Sequence, residues 1–147
     1  MSGGPRAGYR GFVQGIIVTR VTIDRVLADA RARLVRLAPA DALAATRTGA
    51  RLVDVRTVEQ VVAVGRLPGA LEVGLNVLEW RLDPTSPSRD PRAPRLDDLV
   101  VVVCAQGYSS SLAAARLQDL GFARATDVIG GVEGWRAAGL PLLAAVP

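Results

Sequence analysis

Histidine is absent from this 147-residue chain, which removes the commonest general base near neutral pH and the commonest metal ligand. No Ser-His-Asp or Cys-His centre can be built. All 18 basic residues are arginine, so Schiff-base chemistry and a P-loop lysine are excluded as well. The single cysteine, Cys104, leaves no internal disulfide and no thiolate zinc site, and it suits a reducing compartment, with cytoplasm as the expected location. Aromatic residues make up only 4% of the chain, and the net charge of +4 is not gathered into a basic stripe interleaved with aromatics, so no nucleic-acid partner is expected. Arg31, Arg33 and Arg36 form the densest basic group; helical spacing sets them opposite an apolar face, as a solvated surface. Apolar runs stay far below the roughly 18 to 20 residues that a membrane span needs, so no membrane partner is expected.

What remains is a chain that is half apolar and 22% charged, with the length of one domain and enough apolar surface for a core. Residues 1–21 mix glycine, arginine and scattered apolar positions and read as a flexible tail. Ile23, Val26, Leu27, Ala30, Leu34 and Leu37 follow the three-and-four spacing of an amphipathic helix over 22–37, with Thr22 as N-cap and Pro39 beyond its end. From residue 38 onward, helices and strands interleave. Helices are expected over 40–48, after residue 55, over 77–82, 110–120 and 132–138, and strands over 51–55, 71–73, 99–103 and 125–129. A proline-rich loop covers 83–94. This alternation predicts an α/β fold, a doubly wound parallel sheet flanked by helices, with an extra N-terminal amphipathic helix. In such sheets, ligands bind beyond the C-terminal ends of the strands, and Cys104 lies at one.

The segment from Val100 to Ala115 places a lone thiol between a buried strand and a helix start. A thiol is nucleophilic only as the thiolate, which is favoured where backbone N–H groups and a helix N-terminus point at the sulfur. Gly107 lets the loop curl so that successive amides converge on an anion. Ser109, Ser110 and Ser111 can cap the following helix or supply hydroxyl donors, with capping the simpler role. Cys104 itself is equally readable as an inert small hydrophobe at a strand end or as a nucleophile held by the loop.

At these residues the chain resembles the rhodanese-like domain family, which includes thiosulfate and other sulfurtransferases. Its Asp-x-Arg strand is similar to Leu52-Val-Asp54-Val-Arg56, and its Gly-His-Ile-Pro-Gly-Ala turn to Gly65-Arg66-Leu67-Pro68-Gly69-Ala70. Its Cys-x-x-Gly-x-Arg-Ser loop is similar to Cys104-Ala105-Gln106-Gly107-Tyr108-Ser109-Ser110, and its closing Gly-Gly-x-x-x-Trp to Gly130-Gly131-Val-Glu-Gly-Trp135. These motifs keep their order over 38–147, a specific signal where each alone is weak; 1–37 lie outside it. Three departures stand out. The loop arginine has become Ser109, the turn histidine is Arg66, and the segment between Arg56 and Gly65 is about one residue longer.

The resemblance implies a sulfurtransferase in which Cys104 takes a sulfane sulfur from a donor such as thiosulfate or a persulfide, keeps it as a persulfide and passes it to a thiol acceptor. No cofactor and no metal enter that chemistry. The substrate-binding loop would be Ala105, Gln106, Gly107, Tyr108, Ser109 and Ser110, with weakened turnover where Ser109 replaces the arginine. Asp54 would steady the active-site loop or cap a helix. Arg56 and Arg81 would attract an anionic donor or pair with Asp54, Glu79 or Asp83. The alternative is a non-catalytic or partner-dependent binding and regulatory module. Phosphatase or arsenate reductase chemistry is a weaker reading, because it needs the absent loop cation.

Overall fold

The structure, a computed structural model, describes residues 10–13 and 15–145. Four strands form a parallel sheet in the order β4-β3-β5-β6, comprising β3 (Arg51–Asp54), β4 (Leu71–Glu72), β5 (Val100–Val103) and β6 (Thr126–Asp127). The four valines of β5 are all fully buried, as a central strand covered on both faces requires. Because side chains alternate, Val100 and Val102 join one core with Val53, Leu78, Leu82, Leu117 and Phe122. Val101 and Val103 join the other with Leu52, Ala42, Val128, Val132 and Trp135.

The first core is closed by α4 (Leu78–Leu82) and α5 (Ser109–Asp119), the second by α2 (Pro39–Thr46) and α6 (Gly131–Ala137). Helix α3 (Val58–Val64) connects β3 to β4 behind a capping box: Gln60 N–H donates to Thr57 Oγ1, and Thr57 N–H donates to Gln60 Oε1. The chain leaves β3 toward β4 on one side and leaves β5 toward β6 on the other. The strand order therefore reverses between β3 and β5, opening a crevice at their C-terminal ends.

The N-terminal region departs from expectation. Where a flexible tail was expected over 1–21, β1 (Arg10–Val13) and β2 (Ile16–Thr19) form an antiparallel hairpin; residues 1–9 and 14 of that expectation lie outside the described residues. Helix α1 (Ile23–Ala32) begins as predicted, with Thr22 Oγ1 accepting from Arg25 N–H at 3.2 Å. It ends at Ala32, well short of residue 37. Leu34 and Leu37 are apolar for another reason: the chain runs extended beside β6, and the two leucines pack into opposite cores. Three bonds hold this segment: Thr126 Oγ1 donates to the Val35 carbonyl at 2.7 Å, Leu37 N–H to the Asp127 carbonyl at 3.0 Å, and Ile129 N–H to the Leu37 carbonyl at 2.9 Å. Helix α1 itself packs against α5, the helix that follows the cysteine loop.

Candidate active site

Cys104 follows the last residue of β5 and is buried, with 6% of its surface exposed. Three carbonyls of the loop from 104 to 110 are drawn away from the thiol. Those of Cys104 and Ala105 accept from Val132 and Glu133 N–H, in the first turn of α6, at 2.9 and 3.0 Å. That of Gly107 accepts from the Arg31 and Arg36 guanidiniums at 2.7 and 3.0 Å. Amides are correspondingly turned inward: Gly107 N–H donates to Cys104 Sγ at 3.1 Å and Ser110 N–H at 3.4 Å.

Two glycine positions make this geometry possible. Gly107 has φ +86°, and a Cβ there would sit 2.8 Å from Gly130 N. Gly131 has φ +60°, and a Cβ there would collide with the Cys104 carbonyl oxygen and sit 2.7 Å from the Ala105 and Gln106 backbone. The paired glycines at the start of α6 let that helix end come close enough to take the loop carbonyls. Trp135, fully buried, anchors α6 and donates from Nε1 to the Pro141 carbonyl at 3.0 Å.

Burial pushes the Cys104 thiol up. The Ser110 and Ser109 side chains beside the sulfur, with the Ser110 and Gly107 amides that donate to it, together outweigh that and hold its pKa below the ordinary cysteine value. No imidazole or carboxylate is needed for this.

Behind the loop stands Asp127, fully buried on β6. Its carboxylate accepts from Ser110 Oγ at 2.8 Å, Ser111 Oγ at 2.7 Å, and Arg36 Nε and Nη2 at 2.8 and 3.3 Å. Ser111 Oγ in turn accepts from Arg31 Nε at 3.1 Å, and the Arg31 guanidinium lies 5.4 Å from the centre of the Tyr108 ring. The serines therefore do not cap α5, whose N-cap is Tyr108 without a side-chain bond. Hydroxyls in a closed interior go to the buried carboxylate, whose desolvation would otherwise be uncompensated. Arg31 and Arg36 likewise do not form a solvated face. Arg33 alone of the three meets that expectation, pairing with Asp119 at the surface.

In front of the thiol lies an open cavity of about 1030 Å³, into which Cys104, Ala105, Gln106, Tyr108 and Ser109 face. Its opposite wall comes from the chain after β3 and from α3. Arg56 is in that wall, but its side chain is almost wholly buried: it binds Asp54 through Nε and Nη2, with Nη2 at 2.8 Å, and donates from Nη2 to the Gly65 carbonyl at 2.8 Å. Asp54 also accepts from Arg56 N–H at 3.1 Å. Asp54 thus fixes the turn after β3, and no bond joins it to the cysteine loop. Arg66, in the same wall, pairs with Glu72 at 2.7 Å. Arg81 lies elsewhere: it donates to the Ser88 carbonyl at 2.6 Å and to Asp90 at 3.3 Å, bracing the proline-rich segment, and does not line the cavity.

Asp127, Arg31 and Arg36 escaped sequence reading. A charged residue in a stretch, 125–129, that otherwise reads as a buried strand was the available signal for Asp127. The two arginines gave none, since their contacts with Gly107 span 76 and 71 residues.

A parallel sheet whose crevice holds a buried cysteine, with two loop amides donating to its sulfur, defines an α/β protein with a cysteine loop at its strand ends. A sequence model described as the rhodanese-like domain matches residues 38–138, and the chain belongs to that family. Among curated relatives, a thiosulfate sulfurtransferase GlpE of Pseudomonas entomophila is 37% identical over 102 residues, covering 69% of this chain and 84% of the relative. A sulfurtransferase of Allochromatium vinosum is 32% identical over 93 residues, covering 63% and 78%. Among solved structures, a Rhodopseudomonas palustris protein of unknown function, described as a possible tyrosine phosphatase, has a TM-score of 0.77 at 32% identity and covers 90% of this chain and 99% of its own. A human single-domain sulfurtransferase has a TM-score of 0.60 at 28% identity, covering 69% and 95%. No helix among the described residues is long and apolar enough to cross a membrane.

Proposed function

We propose that the chain is a sulfurtransferase with Cys104 as the sulfur carrier. The thiolate attacks the outer sulfur of a sulfane donor. With thiosulfate, the new S–S bond forms as the old one breaks, sulfite leaves with the bonding pair, and Cys104 holds an anionic persulfide. An acceptor thiolate then attacks that outer sulfur, becomes a persulfide itself and releases the Cys104 thiolate. Neither half needs a proton donor, an oxidant or a reductant, which suits a site without histidine.

The observation that carries this reading is the pair of inward amides, from Gly107 and Ser110, on a buried thiol at the head of the crevice. Fixed dipoles of this kind serve both the thiolate and the anionic persulfide without reorganisation. Ala105, Gln106, Tyr108 and Ser109 shape the wall met by the donor. The relatives named as thiosulfate sulfurtransferases support the donor class. Ser109 places no cation in the loop itself, so turnover with thiosulfate is expected to be slower than with an organic persulfide. The cavity mouth favours the latter, since Val58, Val62, Leu75 and Tyr108 are exposed there.

Incubation with thiosulfate or an organic persulfide is expected to add one sulfur atom to the intact protein, removable by cyanide and absent from Cys104→Ser; mass spectrometry reads it. An unchanged mass across all sulfane donors would leave the binding-module reading in its place.

A further inference from the structure

We infer that Arg31 and Arg36, which precede the segment shared with the family, act as positioning residues for the cysteine loop, with Arg31 supplying from behind the positive charge that Ser109 lacks. The inference rests on the sulfur-carrier reading for its purpose, although its test does not require sulfur transfer.

The first ground is charge matching. Three of the arginines around the site are each paired with a carboxylate: Arg36 with Asp127 at 2.8 Å, Arg56 with Asp54 at 2.8 Å and Arg66 with Glu72 at 2.7 Å. Arg31 has no carboxylate partner among the described residues. Glu133, in the first turn of α6, is a further charged residue next to the loop, bonded to it through its backbone N–H; Arg31 is the loop-side arginine whose charge no ion pair neutralises. It is half-buried, against the Tyr108 ring, where solvent and salt screen it less than at the surface.

The second ground is peptide geometry. In a trans peptide the C=O and the following N–H point in opposite directions. Two guanidiniums drawing the Gly107 carbonyl backward therefore turn the Tyr108 N–H forward and polarise it. Gly107 and Ser110 N–H serve Cys104 Sγ; the Tyr108 N–H is the further donor for an outer sulfur. The Arg31–Ser111–Asp127–Ser110 relay ties the same arginine to the residue whose amide reaches the thiol.

The test compares iodoacetamide alkylation of Cys104 against pH in the full chain, for wild type, Arg31→Gln, Arg31→Lys and Arg33→Gln. R33Q removes the same charge from the same turn but acts on Asp119 at the surface. Loss of Arg31 strands no buried carboxylate, so R31Q is expected to fold, as circular dichroism would verify. R31Q is expected to alkylate about three- to tenfold more slowly at pH 7, with its midpoint moved to higher pH and its alkaline plateau unchanged, the scale of about half to one pKa unit. R31K should stay near wild type, and R33Q should match it. A wild-type midpoint in R31Q overturns the inference, as does an R31K shifted as far as R31Q, which would make the role one of shape. Persulfide loading of the wild type, measured separately, distinguishes failure of the carrier reading from failure of this one.

Discussion

At Cys104 two opposed influences meet: burial, which disfavours the thiolate, and converging donors, which favour it more. The balance has a pH consequence. Alkylation should rise through a midpoint below that of a free thiol, and Ser109→Ala, which removes a hydroxyl donor beside the sulfur, should move that midpoint up. The same shift bears on stability. A thiol whose folded pKa is depressed adds nothing below the folded value, and its contribution is complete only above the unfolded one. The stability advantage of wild type over Cys104→Ser is therefore expected to grow as pH rises across that interval, as urea titrations at several pH values would show.

Among the elements, the contact between the cysteine loop and α6 is the least tolerant of change. Gly131→Ala drives a Cβ into three backbone atoms that no rotamer change can move. It is expected to cost upwards of about 2 kcal/mol and to slow alkylation, because the carbonyls of Cys104 and Ala105 would lose their partners on α6. This scale is also where the sequence was most readable. The run Val100–Val103 marked a strand buried on both faces, and the alternation of helix and strand signals marked a parallel sheet. Periodicity misled only past Ala32, where Leu34 and Leu37 keep helical spacing while lining two separate cores of the sheet. The loop residues were legible because their chemistry is local. Arg81 was misplaced because its charge could be read but its partner, Asp90, could not.

For the whole molecule, Asp127 joins three parts of the chain: β6, the start of α5, and the segment after α1. A fully buried carboxylate with four donors is sustained only while all remain in place. Asp127→Asn removes the charge facing Arg36 and should destabilise the protein by about 2–3 kcal/mol. That is below the roughly 3–5 typical of a broken buried pair, because Arg36 keeps some access to water. Denaturant unfolding at neutral pH measures it, and slower thiol alkylation should accompany it. The place of Asp127 in a strand hinted at its burial, but its pairing was illegible in the sequence, since its cation, Arg36, comes from a distant stretch brought near only by the folded path.

The extended segment through Leu37 has one more effect. By taking the Asp127 carbonyl and supplying its own to Ile129, it occupies rungs along the outer margin of β6 that an approaching chain could otherwise have zipped onto. At high concentration, ribbon-like growth from that margin is sterically and chemically forestalled.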